Sequence, residues 1–275
     1  MVARHERVII DLGTGDGRAA LAVAAADPRS LVIGVDADAA SMVDASRRAA
    51  RAAGRGTPSN PLFVVAAAEA PPAELVGLAD EVRILFPWGS LLRGALGSDA
   101  TVAAGIASLV RPGGDLTTIL SITRRDGIDG MDTLDARALA RVARVQRGVG
   151  LHMVAAHPIC LDAVRATRSS WGRRLLASGA ERPIWRLAFV RSDGRDRDLR
   201  YDPRNGASER RATWPETSCN RSPGAVSAPQ PSGMTDPDPA ADEPPTSRSF
   251  ASRSRARRRG GSHAGADRGS RRRRY

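Results

Sequence analysis

The feature that most constrains this chain is alternation. Short apolar runs rich in Val, Ile and Leu recur between longer Ala-rich stretches with polar residues on one side. Val8–Leu12, Leu31–Val35, Leu62–Val65, Val82–Phe86, Leu116–Ile122, Gly150–Ala155 and Pro183–Val190 read as strands. Gly17–Ala26, Ala39–Ala53, Pro71–Val76, Asp99–Leu109 and Asp132–Gln146 read as the helices between them. Strands this short and this uniformly apolar are buried on both faces. The order therefore predicts an α/β fold, with a mostly parallel seven-stranded sheet and helices on both faces. Ligands in such sheets bind beyond the carboxyl ends of the strands, so the loops after each strand are where chemistry is expected.

Charge and complexity divide the chain after Arg191. Residues 1–191 hold 24 Arg against 19 acidic residues, and residues 192–275 hold 18 against 11. The shorter part thus supplies more of the net charge of +12. It also carries half of the 18 prolines, lacks apolar periodicity and ends in arginine runs. Such a segment buries too little apolar surface to offset its ordering entropy. It is expected to be a disordered Pro/Arg-rich tail, with 1–191 as the folded domain. All 42 basic residues are arginine, which reflects GC-rich coding as much as a polyanionic partner. No apolar run is long enough to span a bilayer, and no leader is visible at Met1. Cys160 and Cys219 make neither a disulfide framework nor, with four dispersed histidines, a metal site. The expectation is a cytoplasmic monomer without metal or membrane association.

The loop after the first strand reads Asp11-Leu12-Gly13-Thr14-Gly15-Asp16-Gly17. Gly13 and Gly15 permit a tight turn and close approach to a ligand. The spacing is not that of a dinucleotide site, and no Lys completes a phosphate loop. Asp11 and Asp16 would repel a pyrophosphate but attract a cation. S-adenosylmethionine, with its ammonium and sulfonium, suits this turn. Asp36 ends the second strand about 20 residues on, where a carboxylate can accept both ribose hydroxyls. Ala66-Ala67-Ala68-Glu69 follows the third strand and is placed to bracket the adenine. Together the three loops indicate a class I (Rossmann-like) S-adenosylmethionine-dependent methyltransferase.

The fourth strand runs into Phe86-Pro87-Trp88-Gly89-Ser90-Leu91-Leu92-Arg93-Gly94. In this fold that strand end faces the methyl donor, and Trp88 offers a ring on which a base can stack. Further on lies Ser169-Ser170-Trp171-Gly172-Arg173-Arg174. With the three donor loops, these pieces in this order resemble the aminoglycoside-resistance 16S ribosomal RNA (adenine(1408)-N(1))-methyltransferases of the kanamycin–apramycin type. The resemblance covers about residues 7–190, and the Pro-Trp-Gly-Ser-Leu-Leu-Arg-Gly stretch is its most specific part.

The resemblance implies roles at matching positions. Asp11, Gly13, Gly15, Asp36 and Glu69 would hold the donor. Trp88 and Trp171 would sandwich a flipped adenine, with Ser169 near both donor and base. Arg173, Arg174 and, further along, Arg182 would contact 16S rRNA in the 30S subunit. Only ten residues precede Asp11, where the family usually carries an N-terminal hairpin, so either the start is misassigned or part of a ribosome-docking surface is lacking. Thr123–Gly130 is likewise lean for a docking insertion. Adenine N1 has a free lone pair at neutral pH, so its methylation needs no general base. That agrees with the lack of a His or Cys in the motif loops; Cys160 reads as a small core residue, Trp185 as core, and His152 and His157 as structural. The arginines at 47, 48, 51 and 55 read as a solvated helix face. Alternatives on the same fold are a tRNA guanine-N7 enzyme or a small-molecule methyltransferase. From another class, a non-catalytic relative could retain only the donor pocket.

Overall fold

The computed structural model describes residues 2–54, 60–128, 131–177 and 182–193. The expected tail from residue 194 onward lies outside the described residues, as do Arg55, Trp214 and Cys219. The elements run β1 (Arg7–Leu12), α1 (Arg18–Ala26), β2 (Ser30–Asp36), α2 (Ala39–Gly54), β3 (Pro61–Val65), β4 (Ala79–Leu85) and α3 (Gly89–Ala95). Then come α4 (Ala100–Leu109), β5 (Val110–Leu120), α5 (Ala136–Gly148), β6 (Leu151–Pro158), α6 (Leu161–Ala166), α7 (Ser170–Ala177) and β7 (Trp185–Arg191). The seven strands form one sheet in the order β3-β2-β1-β4-β5-β7-β6. All pairings are parallel except those of β7, which runs antiparallel to both β5 and β6. The order reverses at β1, so its carboxyl end opens at a topological switch point.

Alternation along β1 shows how the layers form. Val8, Ile10 and Leu12 join the main core on one face, with Leu92 of α3, Ile106 of α4 and Val142 of α5. Ile9 turns to the other face and packs on Ala20 and Ala24 of α1 with Val32 of β2. Asp11 shares the face of Ile9, because side chains two apart on a strand point the same way. Farther along that face, Leu85, Phe86 and Ile119 pack with Val164 of α6.

Several boundaries differ from the sequence expectation, each for a local reason. The expected helix over 71–76 is only a 3-10 turn at Ala73–Leu75. Two prolines remove the first donors, and Gly77 at φ 66° turns the chain away. The helix expected from Asp132 starts at Ala136, because Asp135 is its cap and accepts from Ala138 N–H at 2.8 Å. Three short helices were not anticipated: α3, α6 and α7. Each has eight residues or fewer, too short for periodicity to declare. Cys160 is not a core residue; it is half-buried at the start of α6. Trp185 does pack against the main core.

Candidate functional site

The carboxyl ends of β1, β2 and β4 and the loop after β3 open into one cleft of about 500 Å³. On its donor side the glycine turn is fixed by the backbone. Gly13, Gly15 and Gly17 all take left-handed φ, at 73°, 55° and 68°, which only glycine adopts freely. Gly13 N–H and Thr14 N–H donate to Val35 O at 2.8 and 3.1 Å. Gly15 N–H donates to Asp36 Oδ2 at 2.8 Å, and Ser41 Oγ–H donates to Gly15 O at 3.0 Å. The turn is therefore stitched to the end of β2 before any ligand arrives.

The carboxylates differ in surroundings. Asp36 accepts from Asp38 N–H through its other oxygen, at 2.9 Å. Each Asp36 oxygen thus keeps a lone pair for a hydroxyl donor. Asp11 is buried, and Thr14 Oγ1–H donates to its Oδ2 at 2.6 Å. Burial pushes its carboxyl up to about 6, and Asp36 and Asp16 push the same way. The Thr14 hydrogen bond and Arg83, directly across in the β1–β4 register, oppose the rise. A buried acid held up this way is one that a cation would return to the ionised state. Glu69 stands exposed at the rim. Its loop is braced from behind: a Cβ on Gly105 of α4 would lie 1.9 Å from Ala68 O.

The opposite side is aromatic. Trp88 is 73 % exposed and Trp171 47 %, and both line the cleft. Large rings left open beside an acidic pocket are the informative exception to burial. Phe86 and Arg168 are the two non-glycine residues with left-handed φ among those described, at 54° and 58°. One lies two residues before Trp88, the other three before Trp171. Phe86 is buried, and its ring lies 3.0 Å from where a Cβ on Gly172 would stand. The turn carrying Trp88 and the helix carrying Trp171 are thus packed on each other. The Arg174 guanidinium sits 5.2 Å from the centre of the Trp171 ring, within cation–π range.

The cleft therefore gathers Asp11, Gly13, Gly15, Asp36 and Glu69 with Trp88, Ser169, Trp171 and Arg174. Ser169 is buried, and its Oγ accepts from Gly172 N–H at 3.4 Å across the first turn of α7. Arg173 and Arg182 are not in the cleft. Arg173 is exposed on α7, and Arg182 is half-buried on the approach to β7. Arg47, Arg48 and Arg51 are exposed on α2, as a solvated face would be. Sequence reasoning missed Thr14, Ser41, Leu91 and Ser170 as residues of this site. Leu91 packs on the glycine turn: its methyl lies 2.5 Å from where a Cβ on Gly13 would stand, which adds a packing reason for that glycine.

Comparison with known proteins agrees with this geometry. The model of the NpmA family, 16S rRNA (adenine(1408)-N(1))-methyltransferase, matches residues 1–190. An enzyme of that description from Streptoalloteichus hindustanus is 33% identical over 186 residues, covering 64% of this chain and 83% of its own. The crystal structure of a mutant 16S rRNA (adenine(1408)-N(1))-methyltransferase from Catenulisporales acidiphilia with cosubstrate SAM superposes with a TM-score of 0.63 at 33% identity. That match covers 71% of this chain and 90% of the other. The aminoglycoside resistance methyltransferase NpmB1 matches with a TM-score of 0.58 at 36% identity, covering 69% and 89%. A tRNA or small-molecule methyltransferase is thereby set aside, and the chain belongs to the NpmA family of 16S rRNA (adenine(1408)-N(1))-methyltransferases.

Proposed function

We propose that this chain methylates N1 of adenine 1408 in 16S rRNA, from S-adenosylmethionine, and so confers aminoglycoside resistance. We place the reaction on the assembled 30S subunit, with the enzyme acting as a cytoplasmic monomer. The observation that carries this reading is the pairing of two open tryptophans with an acidic glycine turn in one cleft.

The residues present fit the donor. Asp36 retains acceptor capacity for ribose hydroxyls, and the buried Asp11, its carboxyl pushed up by burial, suits a cationic amino-acid end. The Ala66–Glu69 loop would border the adenine. When bound, S-adenosylmethionine supplies a methyl group on a cationic sulfur.

The protein's own contribution is to present the target base. An adenine inside an RNA helix must leave its stack, and aromatic walls repay that cost. Stacking on Trp88 and Trp171 is worth about 1–3 kcal/mol per ring contact. Because N1 has a free lone pair, no side chain has to remove a proton, and orientation supplies most of the rate. The methylated ring is cationic, and an indole face attracts a flat cation. Arg174, whose guanidinium lies over the Trp171 ring, is placed to meet a phosphate beside the flipped base.

The test is methyl transfer to unmodified 30S subunits, read by reverse transcription across the decoding site. N1 methylation blocks the Watson–Crick edge, so a protein- and donor-dependent stop at adenine 1408 is expected. Donor binding without a stop would leave a binding relative rather than an enzyme.

A further inference from the structure

Asp16 and Ser170 stand 154 positions apart in the chain, yet Ser170 Oγ–H donates to Asp16 Oδ2 at 2.5 Å. Asp16 belongs to the glycine turn on the donor side. Ser170 opens α7, and the next residue is Trp171. Each partner is held in turn. Arg18 Nε lies 3.4 Å from the same Asp16 oxygen, and Arg18 N–H donates to Asp16 Oδ1 at 3.3 Å. On the other side Arg173 Nη2 donates to Ser170 Oγ at 3.1 Å. The Ser170 hydroxyl gives its one proton to Asp16 while its oxygen accepts from Arg173.

α7 is eight residues long; its apolar side packs through Gly172 on Phe86 and Val164 and through Leu175 and Leu176 on the same cluster, while its first turn faces the cleft. Its entry passes through Arg168 in a left-handed conformation. A helix this short does not hold its own orientation. The charge-assisted hydrogen bond at its first turn ties the residue beside Trp171 to the donor turn.

We propose that Asp16 and Ser170 form a latch that couples the donor turn to the base-facing wall, with Ser170 as a positioning residue for methyl transfer. This rests on the reading of Trp171 as a wall for the target base. Breaking the latch leaves the donor pocket intact but lets α7 turn away. Its cost therefore falls on turnover with RNA rather than on donor affinity.

The experiment uses the full chain with 30S subunits, and S-adenosylmethionine affinity is measured separately by calorimetry. Ser170→Ala is expected to lower kcat about tenfold, the worth of one charge-assisted hydrogen bond, with the donor Kd unchanged within threefold. Ser170→Thr, which keeps the hydroxyl, is expected to restore most of the rate. Asp16→Asn with Ser170→Ala should lose no more kcat than the worse single variant. Full kcat in Ser170→Ala, or failure of Ser170→Thr to rescue, would overturn the latch. Trp171→Ala run in parallel separates the two readings. If that variant is also fully active, the base wall itself is misassigned; if it alone is inactive, only the latch is wrong.

Discussion

The two sides of the cleft are built by opposite means. On the donor side every left-handed residue is a glycine, and the turn is bonded to β2 through Val35 and Asp36. On the base side Gly89 is joined by two non-glycine left-handed residues, Phe86 and Arg168, which carry a steric cost of about 1–3 kcal/mol each. That cost persists only because packing over-determines it: Phe86 is clamped beneath Gly172. The donor pocket is thus local and preformed, whereas the base platform depends on contacts between distant segments. Changes on the first side should appear in donor affinity, and changes on the second in turnover with RNA.

The largest effect is expected at the tryptophans. Trp88→Ala and Trp171→Ala should each reduce methylation of 30S subunits by about 100-fold or more, because each removes a stacking wall. Donor affinity should stay within a few-fold, since neither ring takes part in the glycine turn. Reverse-transcription stops measure the first quantity and calorimetry the second. A parallel loss of both would erase the distinction between the two sides.

That division also explains what the sequence made legible. Asp11, Gly13, Gly15, Asp36 and Glu69 could be placed because each lies at a strand end, and strand ends follow from apolar runs. Trp88 could be placed for the same reason. The helix after it could not: Gly89–Ala95 has seven residues, two of them glycine. Nor could α7; only the roles of Ser169, Trp171 and the arginines after it were legible, through the resemblance of Ser-Ser-Trp-Gly-Arg-Arg. The hydrogen bond from Ser170 to Asp16 joins segments that no local rule connects. Nor does sequence reveal that burial holds the Asp11 carboxyl near 6, since that depends on the packing around it.

A smaller effect, confined to the donor side, is expected from Gly105→Ala. The new methyl would collide with Ala68 O, and backbone cannot yield as a flexible side chain can. Overpacking of this kind costs about 1–3 kcal/mol, measurable as a shift in the denaturant midpoint. Displacement of the Ala66–Glu69 loop should raise the KM for the donor several-fold while kcat at saturation changes less. A variant that loses kcat alone would place this loop on the base side instead.

Next in size is the pH response of donor binding. With Asp11 raised to about 6 from 3.8, a cationic ligand must draw the carboxyl into its ionised form. Affinity for S-adenosylmethionine should therefore rise about tenfold from pH 5 to pH 7 and then level off. Asp11→Asn should bind more weakly and lose that slope. The ligand-free fold has the opposite dependence. Between about 4 and 6 the unfolded chain releases this proton while the folded chain keeps it, so this group's contribution to stability falls as pH rises through that window. An equal slope in Asp11→Asn would assign the titration to another group.

The smallest effect is expected from ending the chain at Arg191. β7 closes at that residue, paired on one side with β5 and on the other with β6. The Arg191 guanidinium donates to Ala107 O at 2.8 Å and Ser108 O at 3.1 Å, and also to Val110 O. The last strand is therefore tied to the end of α4 and the start of β5, and every residue of the cleft lies before it. A protein of residues 1–191 should fold cooperatively and bind the donor within about threefold of the full chain, because no donor contact is removed. Its KM for 30S subunits should rise with added salt as steeply as that of the full chain. A shallower salt dependence would mean that arginines beyond 191 neutralise phosphates, and the base side of the comparison would then extend past the folded domain.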